Sequence, residues 1–330
     1  MTLVIRERRH KQALRLSLPK SPSIPSYSDF PHQIHVPVVM SSHADSSPGI
    51  IKDLSDLQKL QVLGHGNGGT VYKVYHNSTG SFYALKVLRL NENDFGIILE
   101  AEILKRVDSP YIVKCHAVFD NGNSNNDGDN GDICFVMEYM EGGSLNDVLR
   151  NHHRLPEEVI SVLARRVLEG LRYLHGMNIV HRDIKPSNLL VNDKGEVKIA
   201  DFGVSHVVEG SFEGNDYDAG TCAYMSPERI DQERWGGENA DEFAGDVWSM
   251  GVVMLECFLG YFPLIGPGQR PDWATLMCAI CFGEKLEMPE EASPEFQHFV
   301  RRCLEKNWRK RGTVLELLHH PFVTQEICCS

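Results

Sequence analysis

The residues of this chain best suited to chemistry sit in one stretch, His181-Arg182-Asp183-Ile184-Lys185-Pro186-Ser187-Asn188, followed by Asp201-Phe202-Gly203. Asp183 can accept a hydroxyl proton, and Lys185 can face an anion. Asn188 and Asp201 offer oxygen ligands to a hard divalent cation such as Mg²⁺. Phosphoryl transfer asks for these parts: it involves little covalent chemistry, but needs an oriented nucleophile and neutralised phosphate charge. Asp183 would orient the attacking hydroxyl, Lys185 would meet the transferred group, and Asn188 with Asp201 would hold the metal. A buried salt-bridge cluster in an unrelated fold is the competing reading. The order and spacing of the two motifs weigh against it.

Several elements must position these groups. Residues 189–191 and 197–199 read as short strands around the turn Asn192-Asp193-Lys194-Gly195. Val159, Leu163, Val167, Leu171 and Leu174 recur at helical spacing, predicting a core helix over 157–175 that delivers the catalytic stretch. Asp246 opens a further helix and is expected to brace the backbone of that stretch. Glu228 and Arg311 are expected to form a buried ion pair. Gly220-Thr221 would bring a threonine hydroxyl near Asp183 and Lys185.

Toward the amino terminus, ordered structure is expected from about Leu54, with a strand over 57–63. The run Leu63-Gly64-His65-Gly66-Asn67-Gly68-Gly69-Thr70-Val71 follows. A G-x-G-x-x-G run alone could equally announce a dinucleotide-binding fold. Here the residues after it continue as a strand, so it reads as a hairpin turn whose glycines let the backbone approach phosphates. Residues 82–87 form the next strand, carrying Ala84 and Lys86. A lysine inside an apolar run wants an anion, so Lys86 is expected on nucleotide phosphates and on a helix glutamate, Glu100 in preference to Glu102. Surface snorkelling of Lys86 is the weaker alternative. Residues 120–132 are rich in Asp, Asn and Gly but lack a closing glutamate and flanking helices, so a hairpin loop is preferred over a calcium loop. The strand over 133–137 leads into a connector. Its backbone near Glu138 and Met140 would bond an adenine edge, with Met137 behind, and Gly142 and Gly143 would permit a hinge.

Composition narrows the setting. A net charge of −12 disfavours a general binder of nucleic acid or membrane surfaces. No run of eighteen apolar residues predicts a membrane span. Nine cysteines without a regular framework suggest a reduced cytosolic or nuclear location. Residues 17–49 are rich in Ser, Pro and His and read as disordered. Before them, Arg6, Arg8, Arg9, Lys11 and Arg15 precede the alternating Leu14, Leu16 and Leu18. From the residues alone, this segment is a docking peptide for an acidic, pocketed groove, a solvated tail or a transit peptide.

From about residue 54 to 322 the chain resembles eukaryotic protein kinases. The resemblance implies an α+β fold, with a β-rich small lobe over about 54–140 and a larger helical lobe over about 141–325, behind a tail of residues 1–53. Ser109-Pro110-Tyr111-Ile112-Val113, Met137-Glu138-Tyr139-Met140, the residues 181–188, Gly220-Thr221-Cys222-Ala223-Tyr224-Met225-Ser226-Pro227-Glu228-Arg229 and Arg270-Pro271-Asp272-Trp273-Ala274-Thr275-Leu276 are similar to short-tailed plant mitogen-activated protein (MAP) kinase kinases, group D. That likeness implies a dual-specificity enzyme using ATP and Mg²⁺ to phosphorylate Thr and Tyr of a MAP kinase, which docks on the tail through Arg6, Arg8, Arg9, Leu14 and Leu16. A weakly catalytic protein that binds and modulates MAP kinases is the alternative. One departure stands out. The family's activation segment carries two Ser/Thr acceptors; here Ser211 fits the first, but Tyr217 holds the second, as in an atypical branch of the group. Glu213, Asp216 and Asp218 around it are expected to replace part of the missing phosphate charge.

Overall fold

Alternating apolar residues between positions 57 and 138 form five antiparallel strands, of which β5 is covered on both faces. They are β1 (Leu57–Gly66), β2 (Gly69–His76), β3 (Ser81–Arg89), β4 (Cys115–Asp120) and β5 (Asp132–Glu138), with helix α1 (Phe95–Arg106) after β3. The strand order is β1-β2-β3-β5-β4. A computed structural model describes residues 51–66, 69–89, 95–121, 131–207, 222–237, 240–265, 272–283 and 286–324. Cys134 and Val136 of β5 pack on one side with Ile51, Leu57, Val74 and Leu85. Ile133, Phe135 and Met137 pack on the other with Ala101, Ile103 and Leu104 of α1. This is why β5 reads as one continuous apolar run. Ile51 already belongs to the upper cluster, so the packed region reaches back beyond Leu54.

The large lobe begins with β6 (Gly143–Ser144), α2 (Leu145–His152) and α3 (Glu157–Gly176). The α3 stripe differs from the expected one at its start. Val159 is 48% exposed, and Ile160 takes the first buried position, ahead of Leu163, Ala164, Val167, Leu168, Leu171 and Leu174. Those positions keep the 3.6-residue period, which Val159 leaves by one residue. After α3 come β7 (Ile179–Val180), β8 (Leu189–Val191), β9 (Val197–Ile199) and β10 (His206–Val207). β8 and β9 pair antiparallel around the expected turn, where Gly195 has φ +73°. Asn192 Oδ1 accepts the Lys194 and Glu196 amides there.

Further on lie α4 (Pro227–Ile230), α5 (Glu242–Leu259), α6 (Trp273–Met277), α7 (Pro294–Cys303), α8 (Val314–Leu318) and α9 (Pro321–Thr324). Helix α5 is buried almost all round from Ala244 to Cys257, as a helix at the centre of a lobe must be. Asp241 caps it by accepting the Phe243 amide, and Gly260 ends it. None of the helices among the described residues is long and apolar enough to cross a membrane.

Candidate active site

Strand β3 carries Lys86 between the small-lobe sheet and the helical lobe. Its Nζ lies 2.6 Å from Glu100 Oε1 and 2.8 Å from Asp201 Oδ1. Glu100 and Glu102 lie roughly opposite one another on α1, so only one can face the sheet. Glu100 is buried against Lys86, while Glu102 pairs outside with Lys105. Burial alone would lower the Lys86 amine, but the Asp201 and Glu100 carboxylates outweigh it and hold the amine above its ordinary value. Burial dominates at Glu100 and raises its carboxyl despite Lys86. At Asp201 the desolvation of the edge facing Lys86 is outweighed by Lys86 itself, and the carboxyl lies below its usual range.

The catalytic stretch lies below. Asp183 Oδ2 is 2.7 Å from Lys185 Nζ. Asn188 Nδ2 donates to the Asp183 carbonyl (2.9 Å) and to Asp183 Oδ2 (2.8 Å). The Asn188 side-chain carbonyl is thereby left as its remaining polar atom. Ala200 donates its amide to the Asn188 backbone carbonyl, so Asn188 and Asp201 are held on neighbouring backbones. Arg182 and Asp201 both have φ +67°. Residues with side chains hold that region only where their surroundings over-determine it, a pattern associated with functional sites.

Those surroundings are visible. Asp246, expected from sequence to brace this loop, accepts the His181 amide at 2.9 Å and the Arg182 amide at 2.8 Å. His175 Nε2 also lies 2.9 Å from it. Although Asp246 is fully buried, these contacts hold its carboxyl below the usual range against the pull of desolvation. His181 Nδ1 accepts the Asp183 amide and Nε2 faces the Ala200 carbonyl. Together they assign a neutral ring with the proton on Nε2. That ring also meets Phe202 edge-on at 5.2 Å. The loop carrying Asp183 and the segment carrying Asp201 are thus locked to each other.

Above, β1 and β2 form the Gly-rich hairpin, in which His65 Nδ1 lies 3.2 Å from Thr70 Oγ1. Leu63, Gly64, His65, Gly66, Gly69, Thr70 and Val71 belong to it, whereas Asn67 and Gly68 lie outside the described residues. A Cβ on Gly69 would meet the Val87 carbonyl oxygen at 2.5 Å, so glycine there lets β2 pass close to β3. Ala84 pairs with Met137 across β3 and β5, and Met137 and Met140 are buried at the junction of the lobes.

Two contacts narrow what the connector can do. The Glu138 amide already donates to the Lys114 carbonyl at 2.8 Å, so any adenine contact from Glu138 falls to its carbonyl. Gly142 is pinned, its amide donating to the Val191 carbonyl at 2.9 Å. A Cβ there would meet that same oxygen at 2.9 Å, so close packing on β8 requires the glycine more than hinge motion does.

Sequence reasoning missed several partners: Glu242 on Arg182, His175 on Asp246, Arg229 on the Arg182 carbonyl, and Lys198 on Glu138. No short spacing marks any of them. The expectations for Arg6, Arg8, Arg9, Leu14, Leu16, Ser211, Glu213, Asp216, Tyr217, Asp218 and Thr221 lie outside the described residues.

Fold and site together define a two-lobed protein kinase domain. A family model described as "Protein kinase domain" matches residues 57–323. The chain is 55% identical to mitogen-activated protein kinase kinase 10 of Arabidopsis thaliana, over 98% of this chain and 99% of that protein. It is 50% identical to mitogen-activated protein kinase kinase 9 of the same plant, over 82% of this chain and 86% of that one. For mitogen-activated protein kinase kinase 7 the identity is 46%, over 90% and 94%. The chain belongs to the protein kinase family and, within it, to the mitogen-activated protein kinase kinases.

Proposed function

We propose that this protein is a catalytically active, dual-specificity kinase that takes phosphate from Mg²⁺-bound ATP and places it on Thr and Tyr of a MAP kinase. The observation that carries this reading is the intact charge chain Glu100–Lys86–Asp201 above the interlocked Asp183, Lys185 and Asn188. A chain serving only as a scaffold has no need of it.

The residues present suit the metal that the family uses. Asn188 spends its amide hydrogens on Asp183 and so keeps its oxygen for a cation. The Asp201 side chain is 46% exposed. Among the described residues no three His, Cys, Asp or Glu converge on a metal position. Two oxygen donors completed by phosphates is how Mg²⁺ is commonly held at such sites. When bound, the ion neutralises charge on the phosphates. Lys86 would bind the nucleotide phosphates while Glu100 fixes its amine. Asp183 would accept the hydroxyl proton of the incoming Thr or Tyr, and Lys185 beside it would offset charge on the transferred group.

Docking rests on the tail: Arg6, Arg8 and Arg9 against an acidic patch, with Leu14 and Leu16 in small pockets. The free thiols of the described cysteines accord with the cytosol, with access to the nucleus, as the working compartment.

The test is transfer of labelled phosphate from ATP to a panel of catalytically inactive MAP kinases, using the full chain and a form starting at Ser47. We expect labelling of at least one MAP kinase by the full chain, weaker labelling by the shortened form, and a loss of that difference on short peptides. Labelling of unrelated proteins but no MAP kinase would overturn the reading. Equal labelling by both forms would remove the tail as docking site.

A further inference from the structure

Helix α5 grips the residue before the catalytic acid at two points. Glu242 and Asp246 lie four residues apart and so share one helix face. Asp246 Oδ1 accepts the Arg182 amide, and Glu242 Oε2 accepts from Arg182 Nη2 at 2.5 Å. We propose that Glu242 is a positioning residue for phosphoryl transfer: a built-in anion that fixes Arg182 and, through it, the backbone that aims Asp183. This rests on the kinase reading given above.

The backbone makes the case. Arg182 stands at φ +67°, where a β-carbon is tolerated only if neighbours hold it. Its amide goes to Asp246, its carbonyl accepts from Arg229 Nη1 at 2.6 Å, and its guanidinium goes to Glu242. The next residue is Asp183, whose own amide has only a long 3.3 Å bond to His181 Nδ1. Asn188 and Lys185 hold the Asp183 carbonyl and carboxylate from beyond it, so Arg182 is what fixes the backbone on the side from which the chain enters Asp183.

Glu242 is well placed to supply the third anchor. It stands in the first turn of α5, where the helix dipole and unpaired amides favour negative charge. The pair is half-open to water, with side chains 26% and 39% exposed, so its effect on folding should be small and its effect on geometry the larger one. The cation beside the catalytic acid is thus neutralised from within the chain. Asp183 can be aimed without an anion delivered by the activation segment, and any such anion would compete with Glu242 for Arg182.

The experiment uses the full chain, Mg²⁺-ATP and an inactive MAP kinase. Glu242→Gln keeps shape and removes charge; Glu242→Asp keeps charge. We expect Glu242→Gln to lower kcat by roughly ten- to a hundredfold, the scale on which slight misplacement acts. Its KM for ATP and melting temperature should stay near wild type, and Glu242→Asp should retain most of the activity. Combined with Arg182→Met, Glu242→Gln should add no further loss, because both changes break one contact. A wild-type kcat in Glu242→Gln, an equal fall in Glu242→Asp, or additive losses would each overturn the proposal. A wild-type chain that moves no phosphate would overturn the kinase reading and this inference together, whereas an active wild type with unaffected Glu242→Gln would overturn this inference alone.

Discussion

The Lys86–Glu100–Asp201 cluster and the Glu228–Arg311 pair are built from the same kinds of group, yet water reaches only one of them. Arg311 sends Nη1 to Glu228 Oε1 at 2.6 Å and Nη2 to Oε2 at 2.9 Å, with side chains 0% and 3% exposed. Its other hydrogens serve the carbonyls of Ala244, Glu305 and Lys306, and it lies over the Trp248 ring at 5.2 Å. Each Arg311 nitrogen has protein partners, and neither charge has room for a ligand. Lys86 is different: one amine is divided between two carboxylates, and Asp201 is open on one side. The first arrangement ties α4, α5 and the loop near residue 305 together. The second holds charge ready for something that is not protein. Identical chemistry thus serves structure where every valence is filled from within, and suits catalysis where one side is left to solvent.

Breaking each cluster should separate these roles. The largest effect is expected for Lys86→Met and Asp201→Ala. Removing one preorganised charge from a phosphoryl-transfer site costs on the order of a hundred- to a thousandfold in kcat. Phosphate transfer to a MAP kinase should therefore fall to background in both. The melting temperature should hold in Asp201→Ala, where Lys86 keeps Glu100, and fall modestly in Lys86→Met, where the stranded Glu100, already raised by burial, can take up a proton. Arg311→Ala should do the reverse. It strands the Glu228 carboxylate, costing about 3–5 kcal/mol of stability. That should appear as a melting temperature lower by roughly ten degrees, with near-normal activity per folded molecule at low temperature. Full activity in Asp201→Ala, or an unchanged melting temperature in Arg311→Ala, would erase the distinction.

A smaller effect concerns a third polar pair, His298 and His320, whose facing nitrogens are 2.7 Å apart. His320 Nδ1 accepts the Phe322 amide, so its proton sits on Nε2 and points at His298 Nδ1. Burial, then His298 and Arg302, lower the His320 pKa, with Glu295 opposing. The unfolded chain therefore binds the proton more readily. The stability this pair contributes is present above the ordinary histidine value near 6.5 and is lost as pH falls below it. Melting temperatures measured from pH 8 down to 5.5 should be level at first and then decline by a few degrees. In His298→Asn the part of that decline due to this pair should shrink.

The chain wrote some of these features plainly and others not at all. Asp183, Asn188 and Asp201 were legible because their spacing along the chain is fixed by local backbone, a loop, a tight turn and two short strands, and Lys86 because a lysine inside an apolar strand after a Gly-rich run wants an anion. The choice of Glu100 over Glu102 followed from counting along one helix. Glu242 could not be read, because it meets Arg182 from 60 residues away in sequence, across a helix whose orientation depends on packing. The same holds for Lys198 on Glu138. Val159 misled because an apolar residue one step off the stripe looks, in a list of spacings, like one on it. Long-range polar partners are set by tertiary packing: Glu228 with Arg311 and Asp246 with the 181–182 backbone were legible because they sit in the motifs Ser226-Pro227-Glu228 and Asp246-Val247-Trp248, whereas Glu242 and Lys198 stand in no such motif.

The most direct test of the claim that this chain moves phosphate is a single-turnover experiment. Excess wild-type protein is mixed with limiting labelled Mg²⁺-ATP and an inactive MAP kinase, beside Asp183→Asn, and the labelled residues are mapped. Label is expected on both Thr and Tyr of the MAP kinase with wild type, with a loss of both in Asp183→Asn at an unchanged melting temperature. Equal labelling by Asp183→Asn, or none by a folded wild type that binds the nucleotide, would contradict the claim.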